Sequence, residues 1–321
     1  MPDLKTQLIS DQRIIHSVNQ STNDQEVPNP KKIKKDDHSN SSSSSIDGAA
    51  VSEASQALLD LNKRPFSPFG ATVFYYSGFD WTYGVPNGHG MVFCDDQQTV
   101  FWRGKVINGK VDGHGEVPLI NGSKYTGDLK EGELHGQGKS TFVNGDVYEG
   151  DWQHGKTHGK GKYTYADGDV YDGDFVNDKK HGKGTLTTAN GNVYEGDFKN
   201  GYRHGQGTLT NPNGVVLYDG DLVNGQLHGK GKMTSPKGSV YEGEWQNGHR
   251  HGKGRWTSPK GSVYEGEWQN GHRHGRGKFT YADSNVYEGD WKDGKKHGHG
   301  FESVGDGILI GVNYDNGVKN K

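Results

Sequence analysis

Residues 148–161 read Tyr-Glu-Gly-Asp-Trp-Gln-His-Gly-Lys-Thr-His-Gly-Lys-Gly, and this stretch decides the fold. Strand side chains alternate between two faces, so Tyr148, Gly150 and Trp152 share one face and the acidic residues between them share the other. The dipeptide at 154–155 fills a position that reads Asn-Gly or Asp-Gly in later copies of the pattern, which is the strongest short signal for a tight two-residue turn. The stretch therefore predicts a β-hairpin.

The same pattern recurs along the chain. Tyr-x-Gly-acid returns every 23 residues, with one step of 24, and His-Gly-x-Gly follows each tyrosine ten residues later. A fixed period of this length is typical of stacked hairpin modules. We call each of these tyrosines the anchor of its module. The anchors are Tyr125, Tyr148, Tyr171, Tyr194, Tyr218, Tyr241, Tyr264 and Tyr287.

The composition predicts how such modules pack. Only 29% of the residues are hydrophobic, whereas 52 are glycine and 34 are aromatic (7 Trp, 16 Tyr and 11 Phe). Few aliphatic side chains argue against a thick two-layer core, and we expect rings to cover the strand glycines. The residue 15 positions after the anchor is apolar in six modules, with Ser140 and Glu302 as exceptions. The prediction is an all-β protein, an elongated single-layer antiparallel sheet of stacked 23-residue hairpins.

Four regions are predicted along the chain. Residues 1–64 have no aromatic side chain and contain a serine run, which is typical of a disordered tail. Residues 65–124 hold degenerate modules or a cap, including Trp102-Arg103-Gly104 at the place of an anchor. Residues 125–300 hold the eight regular modules, and residues 301–321 form a closing half-module and a tail.

Several features bear on compartment and partners. The single cysteine, Cys94, allows no disulfide within the chain, which favours a reducing, cytoplasmic location. The net charge of -3 gives no general case for nucleic-acid binding. The basic run Lys31, Lys32, Lys34 and Lys35 indicates either a nuclear import signal or a solvated linker.

The repeated histidines, acids and glycines invite chemical interpretations that their spacing disfavours. Equivalent histidines lie two strands apart, about 9.6 Å, whereas two ligands of one zinc ion lie within roughly 4 Å. The repeated acid pairs, such as Glu149 and Asp151, have the same surroundings in every copy, so nothing separates an acid from a base. No predicted helix follows any Gly-x-Gly, as a phosphate cradle would require. We therefore predict no metal, no cofactor and no catalytic residue.

The identity between copies also argues for binding rather than catalysis. Residues 234–252 repeat letter for letter as residues 257–275. An active site needs unlike groups held at one place, whereas near-identical modules present one surface many times. The expectation is a protein without enzymatic activity.

The block Tyr-Glu-Gly-Asp-Trp-x-x-Gly-x-x-His-Gly-x-Gly at residues 287–300 resembles the MORN repeat, named for membrane occupation and recognition nexus. The resemblance covers about residues 76–317. It implies a single-layer β groove with roles in protein assembly and, in some members, acidic phospholipid binding. Members that are enzymes carry a separate catalytic domain, for which the regions outside the modules leave no room.

Two functions are predicted from these observations. The first is a non-catalytic scaffold at a membrane or the cytoskeleton, whose groove holds a protein partner. Its candidate groove residues are Tyr148, Trp152, Tyr171, Phe175, Tyr194, Phe198, Tyr241, Trp245, Tyr264, Trp268, Tyr287 and Trp291. The alternative is binding of anionic phospholipid, such as phosphoinositide, by a basic turn region. Its candidate residues are Lys179, Lys180, Arg250, Lys253, Arg273, Arg276, Lys295 and Lys296. Open edge strands at the ends of the array make a homodimer a further hypothesis.

Overall fold

The structure is a computed structural model that describes residues 75–77, 80–82, 85–93, 100–107, 110–119, 122–304 and 307–320. Every regular element in these ranges is a β-strand, and every strand pairing given for them is antiparallel. The all-β class and the hairpin repeat are therefore confirmed. The predicted tail at residues 1–64, with its four lysines, lies outside the described residues.

The described residues fall into two compact units. The first contains residues 75–190 and the turn at 199–201, and the second contains residues 191–198 and 202–320. Up to the end of the first unit the strands are β1 Tyr75–Ser77, β2 Asp80–Thr82, β3 Val85–Phe93, β4 Val100–Ile107, β5 Lys110–Pro118, β6 Lys124–Lys130, β7 Glu133–Thr141, β8 Val147–Gln153, β9 Lys156–Thr164, β10 Val170–Val176 and β11 Lys179–Thr187.

Most of the remaining strands repeat the same alternation of a shorter and a longer strand. They are β12 Val193–Lys199, β13 Tyr202–Thr210, β14 Val216–Val223, β15 Gln226–Thr234, β16 Val240–Gln246, β17 His249–Thr257, β18 Val263–Gln269, β19 His272–Thr280, β20 Val286–Lys292, β21 Lys295–Val304, β22 Ile308–Asp315 and β23 Val318–Lys319. In the first unit, strands from β3 onward pair with their sequence neighbours, and β1 and β2 both pair with β3. In the second unit the same neighbour pairing runs from β13 onward.

One module consists of a hairpin such as β8–β9. Its turn, His154-Gly155, has positive φ at both residues, 50° and 74°, which is the type I′ turn that the sequence predicts. Tyr148 pairs with Tyr163, Gly150 with Gly161 and Trp152 with Thr157. We call the face that carries the anchor and Trp152 the aromatic face, and the opposite one the outer face.

The turn that leads from one module to the next is wider. In residues 165–169, the Gly168 N–H donates to the Tyr165 carbonyl (3.0 Å), and the Tyr165 N–H donates to the Asp169 carbonyl (2.9 Å). Only Gly168 has a positive φ there (96°), so this turn is not the two-residue type. The next strand, β10, then pairs with β9, and Tyr171 lies opposite Tyr163. The return strand β9 thus lies between two anchor strands, β8 and β10.

The irregular modules keep the same plan. In the module that begins at Trp102, the side chains of Trp102, Val106, Val111 and Val117 are buried like their counterparts in regular modules. The 24-residue step is absorbed by a bulge before Tyr218, because Thr210 pairs with Val216 and leaves Leu217 as the extra residue. At the other end, β22 and β23 form the closing half-module.

Candidate functional site

The anchor tyrosine and two glycines form the centre of each module. In the Tyr148 module, a Cβ added to Gly150 would collide with the Gly161 Cα, and one added to Gly161 would collide with the Tyr148 ring. The phenol lies over the glycine pair and donates to the Asp151 carbonyl (2.8 Å). Burial raises the pKa of Tyr148 well above its usual range, and the nearby Asp151 carboxylate adds to the effect. The phenol therefore stays protonated as a structural donor.

The acid that ends Tyr-x-Gly-acid holds a bulge in the return strand. In β9, residues 158–160 lie opposite Asp151 alone, and Gly159 takes a left-handed conformation (φ 58°). The Asp151 carboxylate accepts the Lys160 N–H at 2.7 Å. The other modules repeat this bond at 2.9–3.3 Å. Its acceptors are Asp128, Asp174, Asp197, Asp221, Glu244, Glu267 and Asp290.

The repeated histidine lies beside the turn of the next module. The Nδ1 atoms of His181, His204 and His297 accept backbone N–H groups at 3.3–3.5 Å. These contacts give the three histidines a structural role at the turns. Among the residues that the structure describes, no group of three or more His, Cys, Asp or Glu side chains could hold a metal ion.

The outer face is a ladder of opposite charges. Lys139 pairs with Glu149 (3.5 Å) and Lys160 with Asp174 (2.6 Å) in the first unit. In the second unit, Arg255 pairs with Glu265 (3.1 Å) and Arg276 with Asp290 (3.0 Å). A surface whose charge alternates in sign from one strand to the next attracts neither anions nor cations as a whole.

The aromatic face is packed by edge-to-face ring contacts. Trp152 lies 5.1 Å from Tyr148 and 5.4 Å from Tyr125 of the preceding module, and its Nε1–H donates to the Gly138 carbonyl. The twelve candidate groove residues are at most 5% exposed. The structure thus places them in the core of the sheet, and direct contact with a partner remains a prediction for them. They are Tyr148, Trp152, Tyr171, Phe175, Tyr194, Phe198, Tyr241, Trp245, Tyr264, Trp268, Tyr287 and Trp291.

Cations also lie on the aromatic face, nine residues after the anchor. Lys180 and Arg203 are buried, 7% and 3% exposed, and lie over the rings of Tyr171 and Tyr194. Arg250 lies over Trp268 (4.3 Å), and its guanidinium donates to the Gly271 carbonyl. Arg273 lies over Trp291 (4.5 Å) in the same arrangement and donates to the Gly294 carbonyl. Cationic side chains that contact rings thus occupy the positions that Leu134 and Leu227 occupy in other modules.

The eight candidate lipid-binding residues do not form one surface. Lys180, Arg250, Arg273 and Lys296 lie over rings of the aromatic face. Lys179, Lys253, Arg276 and Lys295 are exposed, and Arg276 is paired with Asp290. The two sets alternate because neighbouring strand residues point to opposite faces.

Glu302, an exception in the sequence pattern, forms an ion cluster on the aromatic face. Its carboxylate accepts bonds from Lys296 (2.5 Å), Tyr314 (2.6 Å) and Lys319 (3.1 Å). Burial alone would raise the pKa of Glu302, but the bonds from Lys296, Tyr314 and Lys319 outweigh it and bring the pKa to about 2. Lys296 also lies 4.6 Å from the Tyr287 ring. The cluster occupies the place where other modules pack an apolar side chain.

We expect Glu302→Gln to cost about 2 kcal/mol of local stability at pH 7, since it removes a charged acceptor shared by three donors. The folded pKa is lower than the unfolded one, so the carboxylate stabilises the fold above about pH 4.5 and this contribution is lost as the pH falls towards about 2. Hydrogen exchange of residues 295–315 between pH 7 and 3 measures the difference. A loss that does not shrink at low pH would contradict the cluster.

Sequence reasoning missed the partly exposed residues of this face in the second unit. Trp256 and Tyr281 retain exposed surface there, and the Trp256 Nε1–H is buried and has no hydrogen-bond partner among the described residues.

The sequence does contain a signal for the cations on the aromatic face. In a hairpin with a two-residue turn, the next-to-last residue of the first strand lies opposite the residue five positions later in the sequence. Trp152 lies opposite Thr157 in this way. The position nine residues after each anchor therefore belongs to the aromatic face.

This geometry defines a tandem β-hairpin repeat protein. The model of the MORN repeat matches nine segments, and eight of them begin at the eight anchors. The segments are 80–98, 125–147, 148–170, 171–193, 194–216, 218–240, 241–263, 264–286 and 287–307. The chain belongs to the MORN repeat family.

Other comparisons add little. None of the curated proteins matches the chain. The TCP10 domain of Danio rerio CPAP, solved with a peptide of STIL, is 16% identical, with 63% of this chain and 96% of that chain covered and a TM-score of 0.29. The TCP domain of Drosophila melanogaster SAS-4, solved with a proline-rich motif of Ana2, is 10% identical, with 71% and 95% covered and a TM-score of 0.23. Scores this low carry no argument about this chain. The described residues include no helix able to cross a membrane.

Proposed function

We propose that the chain is a non-catalytic scaffold that binds another protein across the aromatic face of its second unit. The observation that carries the proposal is the row of partly exposed Arg250, Trp256, Arg273, Tyr281 and Lys296 on that face. Tryptophan, tyrosine and arginine are the side chains that contribute most at protein interfaces. Rings beside cations favour a partner segment that carries both carboxylates and apolar side chains.

The packing of the face supports this use. The guanidinium groups of Arg250 and Arg273 are held over Trp268 and Trp291 and donate to backbone carbonyls, so their positions are fixed before a partner arrives. A fixed side chain loses less conformational entropy on binding than a mobile one. Equivalent residues recur one module apart, which suits a segment that crosses several strands.

Binding of anionic phospholipid is the less favoured function. The exposed outer cation Arg276 is paired with Asp290, and Arg255 on the same face is paired with Glu265. Lys180, Arg250, Arg273 and Lys296 lie over rings of the opposite face, whereas Lys179, Lys253 and Lys295 are exposed. A flat membrane would meet only one of the two sets.

A pair of matched double variants tests the proposal. Arg250→Gln with Arg273→Gln removes two charges from the aromatic face, and Lys253→Gln with Arg276→Gln removes two from the outer face of the same repeats. We expect the full chain to capture a stoichiometric protein partner from cells. The aromatic-face variant should capture at least about tenfold less of this partner, and the outer-face variant should capture as much as the wild type. Thermal unfolding of both variants controls for folding.

Two results would overturn the proposal. The first is equal capture by the wild type and the aromatic-face variant. The second is the absence of a stoichiometric protein together with stronger pelleting on phosphoinositide vesicles than on neutral vesicles. That outcome would assign the chain to lipid binding instead.

A further inference from the structure

Strand β22 exposes consecutive apolar side chains. Ile308, Leu309 and Ile310 are 64%, 53% and 38% exposed, and Phe301 on the neighbouring strand is 55% exposed. Since consecutive strand residues point to opposite faces, both faces of β22 are apolar here. Most other exposed large apolar side chains of the described residues are valines, and only Val215 and Val216 among them are consecutive. A contiguous exposed group indicates a contact surface.

The same stretch has an open backbone edge. Strand β23 pairs only with Tyr314 and Asp315, and the Asn320 N–H donates to the Asn313 carbonyl. No pairing among the described residues covers 308–312 on that side. In an antiparallel strand, the backbone N–H and C=O groups of every second residue point to the same side. The Asn313 carbonyl points to the side of β23, so the backbone groups of Leu309 and Gly311 point to the open edge.

The place of β22 in the repeat explains what is missing. Ile310 lies 23 residues after Tyr287 and occupies the anchor position, and Tyr314 occupies the position of Trp152. In a complete module, the anchor strand pairs along its whole length with a return strand, as β8 does with β9. Here, only the end of β22 near the turn is paired with its return strand, β23.

Within the part of the chain that the structure describes, Gly311 has no structural reason to be a glycine. Its φ is not positive, and a Cβ added to it would meet nothing within 4 Å. The paired strand glycines of the regular modules, such as Gly150 and Gly161, are by contrast crowded by backbone or by the anchor ring. A gap on the outer face beside the exposed Phe301 fits a side chain supplied from outside, since Phe301 and Gly311 are paired in neighbouring strands.

We propose that β22 pairs antiparallel with β22 of a second copy, about a two-fold axis at Ile310. The open stretch 308–312 is centred on that residue, so this register uses all of it. Ile308 then faces Val312 of the second copy on the aromatic face, and Leu309 faces Gly311 of the second copy on the outer face. Leu309 fills the gap above Gly311, and the backbone groups of these two residues bond to each other.

The chemistry of the stretch favours a second copy. None of residues 308–312 carries a charge, so self-pairing brings no like charges together. Large and small side chains match each other only in this register, with leucine opposite glycine. An isologous contact of this kind closes on itself and yields a dimer rather than a filament.

Sedimentation velocity of the full chain from about 1 to about 200 µM tests the dimer. The wild type should shift from monomer to dimer as its concentration rises. Ile310→Glu, which places two carboxylates opposite each other, should weaken the association at least about tenfold. Val318→Glu alters an equally apolar residue outside the stretch, 68% exposed, and should leave the dimer intact.

Cross-linking tests the register. With Cys94 replaced by serine, Ile310→Cys places two thiols directly opposite each other and should form a disulfide-linked dimer on mild oxidation. Ile308→Cys is the matched control, because its two copies lie about 13 Å apart in this register and should not link.

A wild type that stays monomeric throughout overturns the proposal, as does a dimer that survives Ile310→Glu. A monomer that loses a captured protein on Ile310→Glu would instead assign the edge to a strand of another protein.

Discussion

Replacing Gly150 with alanine is expected to lower the stability of its hairpin by about 3 kcal/mol. The added Cβ would collide with the Gly161 Cα and the Lys160 carbonyl oxygen, which are backbone atoms that no rotamer change can move. Because module stability in a repeat array is largely local, hydrogen exchange of residues 147–164 should report the loss more directly than global unfolding does.

Gly238→Asn is the control for this variant. Gly238 has a left-handed backbone (φ 84°), but nothing lies within 4 Å of an added Cβ. Asparagine tolerates this conformation, so the cost should be about 1 kcal/mol or less. Since the φ of Gly150 is not positive, a similar loss in both variants would contradict the close approach of two strands as the reason for glycine at this position.

Tyr148→Ala is expected to cost about 3–5 kcal/mol, the usual range for the loss of a buried ring. The ring lies 5.1 Å from both Trp152 and Phe175 and covers Gly161, and its hydroxyl donates to Asp151. Its removal leaves a cavity and exposes the glycine pair. Denaturant unfolding and exchange of residues 147–176 measure the effect.

Two variants grade this effect. Tyr148→Phe removes only the hydroxyl and should cost about 1 kcal/mol. Tyr281→Ala removes a ring that is 36% exposed and should cost far less than Tyr148→Ala. Equal costs for Tyr148→Ala and Tyr281→Ala would contradict the assignment of the anchor to the core.

The hairpin, its faces and its turn could be predicted from the sequence because each depends on local spacing. Alternation places Tyr148, Gly150 and Trp152 together, and Asn-Gly or its equivalent sets the turn. The bulge at 158–160 could not be predicted in this way. It depends on a left-handed Gly159 and on a carboxylate from the neighbouring strand, and a simple alternating pattern does not reveal such a contact.

The candidate site was harder to predict for the same reason. Residues grouped as a basic turn region alternate between faces, so that Arg250 lies over Trp268 while Lys253 is exposed on the other side. The large aromatic side chains that suggest a groove are buried against one another, because a thin sheet has no other core. Burial of this kind follows from contacts between modules, which spacing within one module does not fix.

These contacts assign the repeated residues to architecture and leave the less regular ones for recognition. The anchor, the glycine pair, the acid and the histidine recur because every module needs the same closure. Arg250, Trp256 and Tyr281 occupy positions whose side chain varies from module to module.

The repeated acid closes the bulge of its own module, and amide exchange measured by NMR tests this role most directly. The Lys160 N–H, bonded to the Asp151 carboxylate, should exchange slowly in the wild type. In Asp151→Ala it should exchange at least about tenfold faster, whereas the Lys183 N–H, bonded to Asp174, should keep its rate. A Lys160 amide that already exchanges as fast as the exposed turn residue Asp167, or that Asp151→Ala leaves unchanged, would contradict the claim.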